Sequence, residues 1–243
     1  MIEAQPERFR GWRSTLRCRQ TWIHLRTTIL RSPTGGALRS GISAIVLAAG
    51  AGSRFGGGKL LAPLGGRTLI EATLLGLREA PVDETIVVVG NDTEGLRGFC
   101  ESYGVRIAEN PDWAEGMAIS VKKGLAACSP DARAAVVVLA DQPLIGAKAI
   151  ERLALAYEEG ASVAVATYGG ERRNPALFTR GVWTMLEEEL SGDEGARGFL
   201  KGHPEMVTEV PCDDVADPTD VDTVEDLRRL QARGSGSHKE ARR

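Results

Sequence analysis

ISAIVLAAGAGSRFGGGKLL, residues 42–61, passes within twenty positions from an unbroken apolar run to a basic, glycine-rich turn. The run at 42–49 suits a strand buried on both faces at the centre of a parallel sheet. The turn carries Gly50, Gly52, Arg54, the consecutive Gly56, Gly57 and Gly58, and Lys59. Glycine tolerates φ > 0 and lets backbone N–H groups approach a ligand with no Cβ between them. Arg54 and Lys59 add two positive charges, each worth roughly 4 kcal/mol against a phosphate oxygen at about 4 Å and an effective dielectric near 20, before desolvation. The stretch is therefore read as a strand followed by a polyphosphate cradle, with Ala48 and Ala49 small enough for a flat ring to lie against the backbone. It is not a P-loop, because Leu60 follows the lysine where Ser or Thr is required. The Gly50, Gly52 and Gly56 spacing is a weak dinucleotide-like pattern. A plain strand-to-helix turn needs neither the arginine nor the lysine.

Outward from this stretch, apolar runs alternate with amphipathic segments. Residues 68–79 read as a helix whose Thr68 and Glu71 form a capping box, followed by strands at 84–90 and 105–109 on either side of a helix at 93–103. A helix at 116–128 precedes 134–140, the most apolar run in the chain and a central strand. After it come a helix at 147–159, a strand at 162–167, helices at 182–190 and 195–200, a strand at 206–211 and a last helix at 224–232. This alternation predicts an α/β fold: a three-layer α/β/α arrangement around a mostly parallel, Rossmann-like sheet with right-handed crossovers. One domain is expected at 42–232. The chain before it, residues 1–41, reads as a basic, disordered extension with eight arginines against Glu3 and Glu7, and 233–243 as a disordered tail without core-forming content.

Composition narrows the function classes. The chain has 243 residues, 42% of them apolar, and a formal net charge of −3, which favours neither a nucleic-acid nor a membrane partner. Its four cysteines are scattered with no C-x-x-C, as expected of reduced thiols in a cytoplasmic protein. Histidine occurs only at positions 24, 203 and 238, which leaves no serine triad and no histidine-rich metal site. Phosphoryl-type chemistry run on lysine, arginine and carboxylates fits what remains.

In an open α/β sheet, ligands bind outside the carboxyl ends of the strands. Two carboxylate segments are expected there: Asp141-Gln142-Pro143, directly after the most apolar strand, and Asp220-Val221-Asp222-Thr223, before the last helix. Mg²⁺ takes one or two protein carboxylates and keeps its other positions for water and phosphates, and Asp141 with Asp222 supplies such a pair. The helix opened by Gly116 offers unpaired N–H groups to an anion or a sugar hydroxyl, with Ser120 one turn on.

At Leu47-Ala48-Ala49-Gly50, Arg54, Gly56 and Lys59 the chain resembles the MobA-like nucleotidyltransferases, whose pattern L-A-[AG]-G-x-x-x-R-x-G-x-x-K it matches position for position. The double alanine is similar to the molybdenum cofactor cytidylyltransferase branch; the guanylyltransferase branch usually carries L-A-G-G. Gly116-Met117-x-x-Ser120 resembles an element that lines the family's nucleotide pocket, residues 192–197 resemble G-D-x-G-A-R, and 220–227 resemble D-I-D-T-P-E-D-L with Val224 in place of proline. The resemblance implies a sheet of the nucleotide-diphospho-sugar transferase type, Mg²⁺ on Asp141 and Asp222 with Asp220 as the fallback for the latter, and nucleotide contacts from Leu47, Ala48, Ala49, Gly50, Gly52, Arg54, Gly56, Lys59, Gly116 and Ser120. Lys59, Arg54 and Asp141 are the implied catalytic residues, and Asn174, Asp193 and Arg197 the acceptor side. Asn174 departs from the family, which commonly has histidine there.

The implied reaction is transfer of CMP from CTP to the phosphate of a molybdenum-bearing molybdopterin with release of pyrophosphate, the product passing to a molybdenum hydroxylase. GTP as donor, or another phosphate acceptor, is the alternative within the class. An NAD(P)-dependent oxidoreductase built on the Gly50 turn is disfavoured because Glu71, about 20 positions on, falls in a helix rather than at the end of the second strand. A pure cofactor carrier would not need Lys59 together with both aspartates.

Overall fold

The computed structural model describes residues 41–90 and 93–240, with the backbone alone over 234–240. The expectation for residues 1–41, Gly41 apart, lies outside the described residues, as does that for 241–243. The elements in chain order are β1 (Ile42–Ala48), the hairpin strands β2 (Pro63–Leu64) and β3 (Arg67–Thr68), α1 (Leu69–Gly76), β4 (Glu84–Val89) and α2 (Thr93–Tyr103). Then follow β5 (Arg106–Glu109), α3 (Met117–Ala127), β6 (Ala134–Leu139), α4 (Ala147–Glu158), β7 (Val163–Tyr168) and β8 (Glu171–Thr179). The chain ends with α5 (Trp183–Glu189), α6 (Arg197–Gly202), β9 (Val207–Pro211) and α7 (Val224–Glu240).

The main sheet has seven strands in the order β5-β4-β1-β6-β8-β7-β9. Its left half is parallel throughout, with β1 paired to β4 and β6 and β4 to β5. β8 runs antiparallel to both neighbours, while β7 and β9 are again parallel. The sheet is mostly parallel, as expected. What the sequence did not suggest is β8, because its Glu-Arg-Arg-Asn-Pro opening reads as a charged loop and proline is rare inside a sheet. Pro175 is accommodated where the β7–β8 register shifts, between Val165 and Ala166.

One apolar cluster packs Ile70, Leu74, Leu96, Ile150 and Leu153 of α1, α2 and α4 against the sheet. Another gathers Val121, Leu125, Trp183, Leu186 and Phe199 of α3, α5 and α6 with strand residues of its own. These are the three expected layers. Each such side chain, fully buried, contributes about 1.5–3 kcal/mol. Phe178 of β8 meets Phe199 edge-on, with ring centroids 6.2 Å apart. A third, small cluster joins Ala62, Leu69, Val221, Leu227 and Leu230, tying the hairpin that follows the cradle to α7.

Caps fix the helix starts. Thr68 and Glu71 form the expected capping box on α1. Thr223 and Asp226 form the same reciprocal pair on α7, with Thr223 N–H donating to Asp226 Oδ2 at 2.9 Å and Asp226 N–H to Thr223 Oγ1 at 3.2 Å. The last helix, expected at 224–232, has a backbone that runs on to Glu240.

Candidate active site

β1 ends beneath a turn made of two short 3₁₀ segments, Ser53–Phe55 and Lys59–Leu61. Gly52 opens the first at φ 59° and Gly58 the second at φ 60°. A Cβ on Gly52 would lie 3.2 Å from Lys59 Cβ, so glycine there is what allows the lysine to fold back over the strand end.

Lys59 Nζ donates to Asp141 Oδ2 at 2.7 Å and to Asp222 Oδ1 at 3.3 Å. Arg54 Nη1 reaches Asp222 Oδ2 at 3.0 Å from a side chain that is 73% exposed. Four residues singled out from the sequence thus meet at one point, drawn from positions 54, 59, 141 and 222. Asp141 is delivered by the end of β6. Asp222 sits on an irregular segment, held between Val221, fully buried in the small third cluster, and the Thr223 cap.

Asp220 is not part of this ion pair set. Its carboxylate accepts from Gln142 Nε2 at 2.8 Å. Burial pushes its pKa up, the neighbouring Asp141 and Asp222 charges push the same way, and the Gln142 hydrogen bond offsets only part of the rise. Asp222, rather than Asp220, is the partner of the cradle cations.

Around this point lie two cavities. The smaller, about 70 Å³, is lined by Leu47, Ala48, Gly50, Gly52, Lys59 and Asp141 among others. The larger, about 350 Å³, has apolar walls from Val121, Leu139 and Phe178 and a polar mouth that includes Arg173, Asn174, Asp193 and Arg197. Only the larger reaches the volume of a small-molecule pocket. Leu47 lines both, so they adjoin at the end of β1.

The other expected site residues are placed as follows. Ala49 is buried beside the cradle and Gly56 lies on its outer turn, neither lining the smaller cavity. Ser120 is 4% exposed, its hydroxyl accepts from Asn110 Nδ2 at 2.9 Å, and it lines neither cavity. Gly116 is covered by the segment at 192–193: a Cβ there would lie 2.6 Å from the Gly192 carbonyl oxygen. The residue that sequence reasoning passed over is Gln142. In the sequence it stands only as a spacer between Asp141 and Pro143, yet it is 3% exposed and lines the larger cavity. A large polar residue directly after an apolar central strand was the available signal.

The carboxylate pair suits a hard divalent cation. Asp141 Oδ1 is buried with no partner, and both groups offer oxygen. Among the described residues no three His, Cys, Asp or Glu side chains converge to hold a metal, so such an ion would take water and phosphate oxygens at its remaining positions, as Mg²⁺ does. No helix among the described residues is long and apolar enough to cross a membrane.

Residues 44–207 match the MobA-like NTP transferase domain. The chain is 34% identical over 199 residues to the nicotine blue oxidoreductase of Paenarthrobacter nicotinovorans, covering 78% of this chain and 96% of that one. It is 30% identical to a molybdenum cofactor guanylyltransferase of Rhodobacter capsulatus, over 79% of this chain and 96% of the relative. The crystal structure of Rv0371C from Mycobacterium tuberculosis in complex with manganese superposes with a TM-score of 0.68 at 28% identity, covering 79% of this chain and 98% of that one. With the glycine-rich cradle, the lysine and the carboxylates all in place on such a sheet, the chain belongs to the MobA-like NTP transferase family and is a nucleotidyltransferase of that type.

Proposed function

We propose that the protein transfers CMP from CTP to the phosphate of a molybdenum-bearing molybdopterin and releases pyrophosphate. The observation that carries this reading is the meeting of Lys59 with Asp141 and Asp222 where two cavities adjoin. One cavity suits the triphosphate and the other an acceptor. CTP rather than GTP rests on Ala48-Ala49; the R. capsulatus relative, by its name, uses the guanylyl group.

In the reaction, an acceptor phosphate oxygen attacks the α-phosphorus in line. The new P–O bond forms as the bond from the α-phosphorus to the bridging oxygen breaks, and that oxygen leaves with pyrophosphate. Cradle N–H groups after Ala49 hold the phosphates. Lys59 and Arg54 shift from the carboxylates onto the phosphate oxygens and stabilise the charge that grows on the leaving pyrophosphate. Asp141 and Asp222 would hold Mg²⁺, which supplies charge neutralisation on the phosphates when bound. Asn174 and Arg197 line the acceptor cavity, where the guanidinium neutralises the acceptor's phosphate and the apolar walls exclude water. The setting is cytoplasmic, with a molybdenum hydroxylase as the receiver of the product.

A second reading, favoured by the oxidoreductase name of the P. nicotinovorans relative, is reduction of an aromatic substrate by a nicotinamide cofactor held in the same cradle. One assay separates the two: pyrophosphate release with CTP, GTP, ATP or UTP, with and without molybdenum-loaded pterin, alongside Asp141→Ala and a parallel measurement of NAD(P)H oxidation. Acceptor-dependent release with CTP, lost in Asp141→Ala, is the expected result. Release with GTP alone overturns the choice of donor, and NAD(P)H oxidation without any pyrophosphate overturns the reading itself.

A further inference from the structure

Asp222 stands on the segment between β9 and α7, residues 212–223, which has no regular secondary structure. A carboxylate on such a segment keeps its place only if specific bonds fix the backbone around it. The bonds that join this segment to the end of β6 are few. Val221 N–H donates to the Asp141 carbonyl at 2.9 Å. Gln142 Nε2 donates to the Pro218 carbonyl at 3.2 Å and to Asp220 Oδ1 at 2.8 Å. Both N–H bonds of one amide thus grip the segment four residues and two residues before Asp222.

The amide is 3% exposed, and its Oε1 is buried with no partner. An orphaned buried acceptor is a cost that an apolar side chain of the same length would not carry. A side chain kept only to fill that space would therefore be better as methionine or leucine. What glutamine adds is the double donation, and its target is the segment that carries Asp222. Gln142 and Asp220 also line the acceptor cavity, so the pair forms a partition between the carboxylates that face Lys59 and the pocket beyond.

We infer that Gln142 is a positioning residue that sets the spacing between Asp141 and Asp222, and through it the affinity of the pair for a divalent cation. Asp220 acts in this arrangement as the anchor for Gln142 and not as a metal ligand. The inference rests on the reading of Asp141 and Asp222 as a cation-binding pair.

The test uses Mn²⁺ as the probe, titrated into the full-length protein and followed by the EPR signal of the free ion, with thermal melting to verify the fold. The wild type binds one Mn²⁺. Gln142→Met, which keeps length and loses both donors, is expected to stay folded and to bind Mn²⁺ about tenfold more weakly or worse, while CTP affinity in the absence of metal stays within about twofold. Asp220→Asn keeps an amide oxygen to accept from Gln142 and is expected to hold Mn²⁺ within about fivefold of wild type, whereas Asp220→Leu matches Gln142→Met. Unchanged Mn²⁺ affinity in a folded Gln142→Met overturns the inference, and so does loss of binding in Asp220→Asn, which would make Asp220 itself a ligand. No Mn²⁺ binding by the wild type overturns the underlying reading of the carboxylate pair, and the inference with it.

Discussion

Lys59→Met tests the central feature of the site, that a lysine stands between the two carboxylates where a metal ion would neutralise them. Methionine fills nearly the same space and removes the charge. The lysine makes hydrogen bonds of 2.7 and 3.3 Å to Asp141 and Asp222, whose side chains are 23% and 33% exposed. Charge-assisted hydrogen bonds contribute about 1.5–3 kcal/mol each. Two such bonds would total about 3–6 kcal/mol, and the exposure of the carboxylates with the longer second contact lowers this to about 2–3 kcal/mol. A cation entering the wild-type site must displace those bonds; in the variant it need not. At about 1.4 kcal/mol per decade, Mn²⁺ should bind Lys59→Met about 30- to 150-fold more tightly than wild type when no nucleotide is present. Added CTP should strengthen Mn²⁺ binding by the wild type, because the triphosphate draws the lysine away, and do so much less in the variant. Turnover should meanwhile fall by about two to three orders of magnitude, the usual loss when a group stabilising transition-state charge is removed. Titration of free Mn²⁺ by EPR, with a melting curve for each protein, reads these quantities directly. Mn²⁺ affinity unchanged or weaker in a folded Lys59→Met would refute the reasoning.

Three further outcomes follow from other parts of the molecule. Gly116→Ala places a Cβ 2.6 Å from the Gly192 carbonyl oxygen at a φ of +115°, so the 192–197 segment must shift; acceptor KM should rise with CTP KM unchanged, and stability should drop by roughly 1–3 kcal/mol. Gly124→Ala drives a methyl to 2.4 Å from Ile45 Cγ2 in the sheet core, and urea denaturation should show a loss of about 1–3 kcal/mol with no change in KM for either substrate. Glu84 has a pKa below its usual value: burial alone would raise it, but donation from Ser129 N–H, Ser43 and Arg106 outweighs that. The stability it contributes is therefore present above the ordinary carboxylate pKa near 4.5 and is lost as pH falls through its lowered folded value. Glu84→Gln should cost about 1–2 kcal/mol at pH 7 and flatten the acid limb of a stability-against-pH curve.

The parts of the fold legible in the sequence are those where one local signal dominates. Continuous apolar runs at β1, β4 and β6 could only be central strands, and each lies where it was expected. Thr68 and Glu71 announced the start of α1 because a capping box is a contact within four residues. β8 was missed because its first residues, Glu171 to Asn174, serve a cavity mouth rather than a core and one partner, β6, is distant in sequence; the Gly169-Gly170 turn that joins it to its other partner, β7, was the signal available. Lys59, Arg54, Asp141 and Asp222 could be singled out because charge placed at strand ends and before a helix has few structural uses, and the structure brings the four together. For Ser120, what the sequence did not reveal is its local partner. A serine one turn into a glycine-opened helix fits a ligand contact, yet here its hydroxyl is taken by Asn110, a pairing that spacing alone does not reveal.

β8 also explains why the site has two cavities rather than one. In the parallel half of the sheet, every strand presents its carboxyl end to the cradle side, and Ala48, Ala140 and Asp141 arrive there in that way. An antiparallel strand presents its amino end to the same side. With Val137 opposite Ala176 and Ala134 opposite Thr179, the residues before Ala176 project past the pairing, toward the end of β6 where Leu139 leads into Asp141. Arg173 and Asn174 are thereby delivered to the wall of a second cavity, facing the 193–197 segment across it. Had β8 run parallel, it would have brought Thr179 and Arg180 to that position, and Arg180 is instead at the opposite end, donating to the carbonyls of Ser129 and Ala132. The reversal of one strand thus gives the molecule one cavity lined from strand carboxyl ends and a second lined in part from a strand amino end. Leu47 lies where the two meet, and Lys59, Asp141 and Asp222 stand beside that junction.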